Sequence, residues 1–71
     1  KEKRLLNLLL DNISLVVTYM MIENYVYENK RMSMDALRAL VRRLRAKLMY
    51  DLIENVIEEG YTISKIPHTV N

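Results

Sequence analysis

The sequence predicts a mainly α-helical fold that ends in a β-hairpin. Apolar residues recur at helical spacing in three separate stretches, and the last of these stretches is strongly basic. A segment rich in β-forming residues, built around the single glycine, follows the third stretch. Three short helices followed by a hairpin, with the third helix basic, is the order of elements in a winged helix-turn-helix. We therefore expect one domain over residues 1–66 and a tail at residues 67–71.

The first helix is predicted over residues 1–11, where leucine is the dominant residue. The leucines can share one broad apolar face, and they are Leu5, Leu6, Leu8, Leu9 and Leu10. Asn12 follows, and asparagine tolerates a positive φ better than most residues do. We therefore expect Asn12 to end the helix in the left-handed region.

A short connection over residues 13–17 leads to the second helix, predicted over residues 19–27. The β-branched residues of the connection favour a brief extended segment, with Val17 in the core. Thr18 is the predicted N-cap. We expect Ile22, Val26 and Tyr25 to supply the inward face of this helix.

The residues Tyr19, Met20 and Met21 open the second helix, and not all three can be buried. Packing against a neighbouring element is the more common explanation of such a cluster. An exposed contact surface is the alternative.

The third helix is predicted over residues 33–48, with Ser33 as its N-cap. A narrow apolar stripe is formed by Leu37, Val41, Leu44 and Leu48, with Leu40 at its edge. The opposite face consists of Ala39, Arg42, Arg43 and Ala46, flanked by Arg38 and Arg45 on one side and by Lys47 on the other. Guanidinium groups bind phosphates or guanine edges bidentately, and alanines allow close approach. The face therefore suits nucleic acid, although a solvated surface face has the same composition.

Charge is unevenly distributed along the chain. Residues 30–47 contain seven basic side chains and one acidic side chain, whereas residues 51–60 contain four acidic side chains and no basic one. The overall net charge is only +2. We expect an electrically polarised fold whose positive field is centred on the third helix.

The hairpin is predicted within residues 52–65, which are rich in isoleucine, valine and tyrosine. Gly60 is expected at the turn, where it would supply a positive φ. Pro67 is expected to end the second strand.

Several classes of function lack support in the sequence. The chain has no cysteine, so we expect neither a disulfide framework nor a cysteine metal site. The apolar runs are too short to span a bilayer. His68 is the single histidine and lies in the tail, and the adjacent Glu58 and Glu59 are not placed as a paired acid site. We therefore predict no enzyme activity, no cofactor and no metal site.

Three motifs resemble the DNA-binding effector domain of OmpR/PhoB-type response regulators, in order and with the family's spacing. The opening KEKRLLNLLLDNISLVVT is similar to the first helix, the connection and the second-helix cap of that family. The stretch DALRALVRRLRAKL resembles its recognition helix, and LIENVIEEGYTI resembles the hairpin that forms its wing. The resemblance covers nearly the whole chain.

The resemblance implies sequence-specific binding to double-stranded DNA in bacterial transcription regulation, as the effector domain of a two-component system. The recognition helix, residues 33–48, would lie in the major groove. The residues implied there are Ala39, Arg42, Arg43 and Ala46, with Arg43 at a position that often reads bases. The residues implied near phosphate are Thr18, Tyr19, Arg31, Ser33, Arg38, Arg45 and Lys47.

The wing implied by the resemblance comprises Glu58, Glu59, Gly60 and Thr62. Many members of the family have an arginine after the Gly-Tyr pair, where this chain has Thr62. Glutamates are repelled by phosphate. Either the wing is held away from the DNA, or binding rests mainly on the recognition helix.

The resemblance also implies partners beyond DNA. Loop 28–32 corresponds to the loop that can contact RNA polymerase, and full-length members have an upstream receiver domain. Domains of this type are cytoplasmic, monomeric alone and arranged head-to-tail on direct repeats of DNA. The family's domains begin with a small antiparallel sheet, which is absent ahead of the first helix here. We therefore expect the chain to be part of a longer regulator.

A protein-interaction module is the alternative function, since winged helices also bind proteins. The acidic wing and the Tyr19-Met20-Met21 cluster favour this alternative, and the arginine face of the third helix opposes it.

Overall fold

Three helices and a three-stranded antiparallel sheet make up the fold, and the predicted class is confirmed. The computed structural model describes residues 1–48 and 51–64. The predictions for Pro67 and for a tail at residues 67–71 lie outside the described residues. The elements are α1 (Glu2–Asp11), β1 (Val17–Thr18), α2 (Tyr19–Tyr25), α3 (Met34–Lys47), β2 (Ile53–Val56) and β3 (Gly60–Ile63).

The sheet has the order β1-β3-β2, so the second strand of the hairpin lies in its centre. In β3, Tyr61 is opposite Val17 of β1 and Asn55 of β2. The brief extended segment expected before α2 is therefore a strand that pairs with the hairpin. This pairing joins the start of α2 to the wing.

The core lies between the helices and one face of the sheet. Its members are Leu5, Leu9, Val17, Ile22, Val26, Leu37, Leu40, Val41, Leu44, Ile53, Tyr61 and Ile63. Leu40 was expected at the edge of the apolar stripe of α3, but it is fully buried. The elements packed around α3 cover a wider part of its surface than the narrow apolar stripe, and this part includes Leu40.

The apolar face of α1 is narrower than predicted. Leu5 and Leu9 are buried, Leu6 and Leu8 are half-buried, and Leu10 is exposed. Successive residues of a helix are rotated by about 100°, so Leu10 points away when Leu9 points inward.

Asn12 does not adopt the left-handed conformation predicted for it. Its φ is −126°, and its side-chain amide donates to the carbonyl of Leu8 at 2.8 Å. The left-handed residue of this connection is Ser14, with φ 68°. Asn12 thus caps the end of α1 through its side chain and not through a left-handed backbone conformation.

The second helix ends at Tyr25, two residues earlier than predicted, and the connection to α3 covers residues 26–33. Glu28 and Asn29 in this connection have positive φ values of 54° and 65°. The Glu23 carboxylate accepts a hydrogen bond from the Met32 amide at 3.1 Å. A side chain of α2 thus holds the loop in place just before the N-cap of α3.

Gly60 is not the turn residue that the sequence suggested. The turn closes through a hydrogen bond from the Glu59 amide to the Val56 carbonyl at 3.0 Å, and the positive φ, 64°, belongs to Glu58. Gly60 is the buried first residue of β3 and has no positive φ. A Cβ at this position would overlap the carbonyl oxygen of Val17, so glycine is needed for the close approach of β1.

Candidate nucleic-acid interface

The third helix is held at a defined start and end. Ser33 is its N-cap, as predicted, and its hydroxyl accepts a hydrogen bond from the Ala36 amide at 3.1 Å. Asp35 lies in the first turn, and Arg45 and Lys47 lie in the last turn, which matches the helix dipole at both ends. Local interactions at both ends therefore define where the arginine-bearing helix α3 begins and ends.

The outward face of α3 is formed by arginine and alanine. Arg42, Arg43 and Ala46 are exposed, and Ala39 is half-buried. Within the described residues, Arg42 has neither a hydrogen-bond partner nor an ion-pair partner. A free guanidinium flanked by small side chains is accessible to a large anionic partner.

One carboxylate offsets part of the positive charge at the edge of this face that lies toward α1. Glu2 accepts a hydrogen bond from Arg43 Nε at 3.2 Å through Oε2 and contacts Lys47 Nζ at 2.5 Å through Oε1. The Lys47 ammonium and then the Arg43 guanidinium hold the pKa of the Glu2 carboxyl below its ordinary value of 4.5. Glu2 is therefore ionised at neutral pH.

The opposite edge of the face borders a groove between α3 and the hairpin. The groove has a volume of about 310 Å³ and is lined by Arg38, Val41, Arg42, Arg45, Asn55 and Tyr61. Arg45 donates to the Ile53 carbonyl at 3.0 Å, which ties the end of α3 to β2. Arg38 pairs with Asp35 at 3.3 Å in a solvent-exposed contact. Three arginines on one groove wall make it suited to an anion such as phosphate.

Two lining residues of this groove, Asn55 and Tyr61, are not among the site residues that the sequence predicts. They are opposite each other in the β2–β3 register. The only available signal was the polar asparagine within a segment of β-forming residues. The asparagine indicates a site only when the tertiary structure shows that the hairpin lies beside α3.

The start of α2 is already engaged by the protein itself. The Thr18 hydroxyl accepts a hydrogen bond from the Met21 amide at 3.2 Å, as expected of an N-cap. The Tyr19 amide donates to the Glu59 carbonyl of the wing at 3.2 Å. The Tyr19 ring packs edge-on against Tyr61, with 6.4 Å between ring centroids. The backbone amide of Tyr19 is thus committed to the wing.

The wing residues differ in their roles. Glu58 and Glu59 are exposed at the turn. The Thr62 hydroxyl donates to the Leu15 carbonyl at 2.8 Å, so this side chain joins β3 to the connection that precedes β1. The Glu59–Tyr19 bond places the two acidic residues next to the N-terminus of α2.

The loop before α3 presents Arg31 to solvent. The same loop contains the exposed Glu28, Asn29 and Lys30. It is a polar segment on the N-terminal side of the arginine face.

The Tyr19-Met20-Met21 cluster is not a continuous exposed patch. Tyr19 and Met21 are half-buried against the core, and only Met20 is largely exposed, at 71%. Packing against neighbouring elements therefore explains two of its three members. Another strongly exposed apolar side chain is Ile57 in the wing turn, at 78%.

Among the described residues, no group of acidic and histidine side chains is placed to hold a metal ion. In the same part of the chain, no helix is long and apolar enough to cross a membrane.

The comparisons with known proteins identify a family. The family model described as "Transcriptional regulatory protein, C terminal" matches residues 1–63. Comparison with curated proteins and with solved structures found no match.

Proposed function

The chain belongs to the family of OmpR/PhoB-type C-terminal effector domains, which bind DNA in transcription regulation, and from this premise we propose that it reads double-stranded DNA sequence-specifically through α3. The observation that carries this proposal is the outward face of α3. This face joins Arg42, which has no partner in the part of the chain that the structure describes, to Arg43, which is held by Glu2, and to the arginine-lined groove beside the hairpin.

The proposed major-groove contacts are Ala39, Arg42, Arg43 and Ala46. Ala39 and Ala46 lack long side chains and let the helix axis approach the bases. Arg43 is the proposed base reader. Arg42 lines the groove between α3 and the hairpin, and it is proposed to neutralise a DNA phosphate there. This division follows from anchoring, because a guanidinium held by a second residue is better placed for a directional contact than a free one.

The proposed phosphate contacts lie around this face, and they are Thr18, Tyr19, Arg31, Ser33, Arg38, Arg45 and Lys47. Arg38 and Arg45 share the groove with Arg42, which supports a common phosphate region. The Tyr19 amide is used by Glu59, so we propose that Tyr19 contributes through its hydroxyl instead. Thr18 keeps a hydroxyl proton to donate, because its oxygen acts only as an acceptor in the cap.

Further partners are proposed from the family. Loop 28–32 is a candidate contact for RNA polymerase, and an upstream receiver domain would control the effector in the full-length regulator. We propose a monomer off DNA, a head-to-tail pair on direct repeats, and a place in the bacterial cytoplasm. We assign no reaction to the chain, since the family acts by binding DNA.

A protein-interaction role is the second candidate. The exposed Met20 favours it, since methionine is enriched at protein interfaces. The division of the Tyr19-Met20-Met21 cluster between core and surface reduces the area available for such a role.

The test of the proposed function is fluorescence anisotropy with a random-sequence duplex library, followed by enrichment and a salt titration. We expect enrichment of a short direct-repeat motif and a log K that falls with log salt by about 0.9 for each phosphate neutralised. Absence of binding at low salt by a sample with a helical circular dichroism spectrum would favour the protein-interaction role instead.

A further inference from the structure

Glu2 is the first acidic residue of α1, yet its carboxylate is directed to α3. Its two oxygens engage two cations one helical turn apart, Arg43 through Oε2 and Lys47 through Oε1. Arg43 and Lys47 lie on the α1-facing edge of the arginine face. A single anion thus links the N-terminus of α1 to the proposed interface.

The three side chains differ in their exposure. The Glu2 side chain is 24% exposed, whereas Arg43 and Lys47 are 58% and 70% exposed. The anion is therefore the sheltered and restrained member of the cluster, and the cations extend from it into solvent. Exposed ion pairs add little to stability, so a purely stabilising role gives a weak reason for this arrangement.

The atoms used by Arg43 leave its recognition groups free. The bond to Glu2 is made by Nε, and within the described residues neither terminal Nη group donates to a protein acceptor. Those two amino groups are the ones that form the fork for a guanine edge or a phosphate. Glu2 therefore restrains the guanidinium without using its outward donors.

The neighbouring arginine provides a contrast. Arg42 is exposed on the same face, but it is not restrained by any carboxylate in the described part of the chain. An unrestrained side chain loses conformational entropy when it binds, whereas a restrained side chain has lost part of it beforehand. Restraint favours directional contacts over general charge neutralisation.

We infer that Glu2 is a positioning residue for DNA recognition, which holds Arg43 in the orientation that reads bases and which tempers non-specific attraction at Lys47. This inference rests on the proposed function. The inference distinguishes sequence discrimination from general affinity for DNA. Loss of Glu2 weakens the discrimination between sequences, whereas the affinity for a random duplex stays the same or increases.

The test is a double-mutant cycle of Glu2→Ala and Arg43→Ala, with Asp11→Ala as the matched control. Asp11 is exposed at the other end of α1, so its substitution makes the same change in charge away from α3. Dissociation constants are measured for the enriched duplex and for a random duplex. Circular dichroism verifies folding, and Glu2→Gln replaces Glu2→Ala if the alanine variant does not fold.

We expect Glu2→Ala to reduce the ratio of random to specific dissociation constants by about 3- to 5-fold, the upper end of the effect of losing an exposed ion pair, without weaker binding to the random duplex. In the Arg43→Ala background the same change is expected to alter the ratio less than twofold. The Arg43 Nε–H NMR resonance of the free protein is expected to shift in Glu2→Ala and not in Asp11→Ala.

Equal effects of Glu2→Ala in both backgrounds, or effects equal to those of Asp11→Ala, would overturn the positioning role while the DNA-binding function stands. A folded wild-type chain that binds both duplexes equally, or neither of them, would overturn the proposed function and this inference together.

Discussion

At the residue scale, the arginines of α3 differ more in their interaction partners than in their exposure to solvent. Arg43 is held by Glu2, Arg45 by the Ile53 carbonyl and Arg38 by Asp35. Arg42 alone among these four is unpartnered within the described residues. Periodicity placed all of them near one face of the helix, but it did not rank them by how firmly each one is held.

This difference predicts separate effects of two neighbouring substitutions. Arg43→Ala is expected to cost about 1–3 kcal/mol on the enriched site and to relax its base preference, because a restrained reader is lost. Arg42→Ala is expected to weaken binding to all sequences alike and to reduce the salt slope by about 1, because a phosphate contact is lost. Anisotropy titrations on specific and random duplexes measure both effects. Losses from the two variants that are equal and independent of sequence would contradict the role given to Arg43.

At the element scale, the wing and the start of α2 form one unit. The strand β1 is only two residues long, yet it pairs with β3, and the Tyr19 amide and Thr62 hydroxyl add hydrogen bonds on either side of that pairing. Gly60 allows the two backbones to approach. The position of the wing relative to the helices therefore depends on the absence of a side chain at residue 60.

Gly60→Ala is expected to destabilise the domain by about 1–3 kcal/mol, since the added methyl group meets backbone atoms of β1 that cannot easily give way. Urea unfolding followed by circular dichroism measures the loss. The matched variant is Glu58→Gly, which is expected to be neutral or stabilising, because Glu58 holds the positive φ of the turn. If Gly60→Ala were as stable as the wild type, close approach of β1 would not be the reason for glycine there.

At the scale of the whole molecule, charge is separated between α3 and the wing. Basic side chains concentrate on residues 30–47 and acidic ones on residues 51–60. The bond between Glu59 and Tyr19 brings the acidic turn to the N-terminus of α2, where a proposed phosphate contact lies. The wing is thus expected to oppose general binding to DNA and to leave α3 as the main source of affinity.

Glu58→Lys and Glu59→Lys are each expected to tighten binding to random duplex and to steepen the salt slope by up to about 0.9, because each change replaces a repelled group by an attracted one near phosphate. Asp11→Lys is the control for net charge alone, and it is expected to have a smaller effect. Salt titrations by anisotropy compare the three variants. Equal effects of all three would mean that the wing turn is distant from the DNA.

Local features of the fold could be predicted because their causes are local. Thr18 and Ser33 cap α2 and α3 through hydrogen bonds to amides three residues away. The bounds of α1 and α3 follow from apolar periodicity and from such end signals. The end of α2 was placed too late, because the loop that follows is held by Glu23 and Met32, whose bond no periodicity reveals.

The sequence by itself thus determined the three helices, the hairpin and an arginine face on α3, since each depends on residues within a few positions of one another. Only the tertiary structure decided the burial of Leu40, the function of Gly60, the groove formed with Asn55 and Tyr61, and the restraint of Arg43 by Glu2. Glu2 and Arg43 are 41 positions apart. Contacts over such separations arise from the packing of whole elements, and no local pattern of residues specifies them.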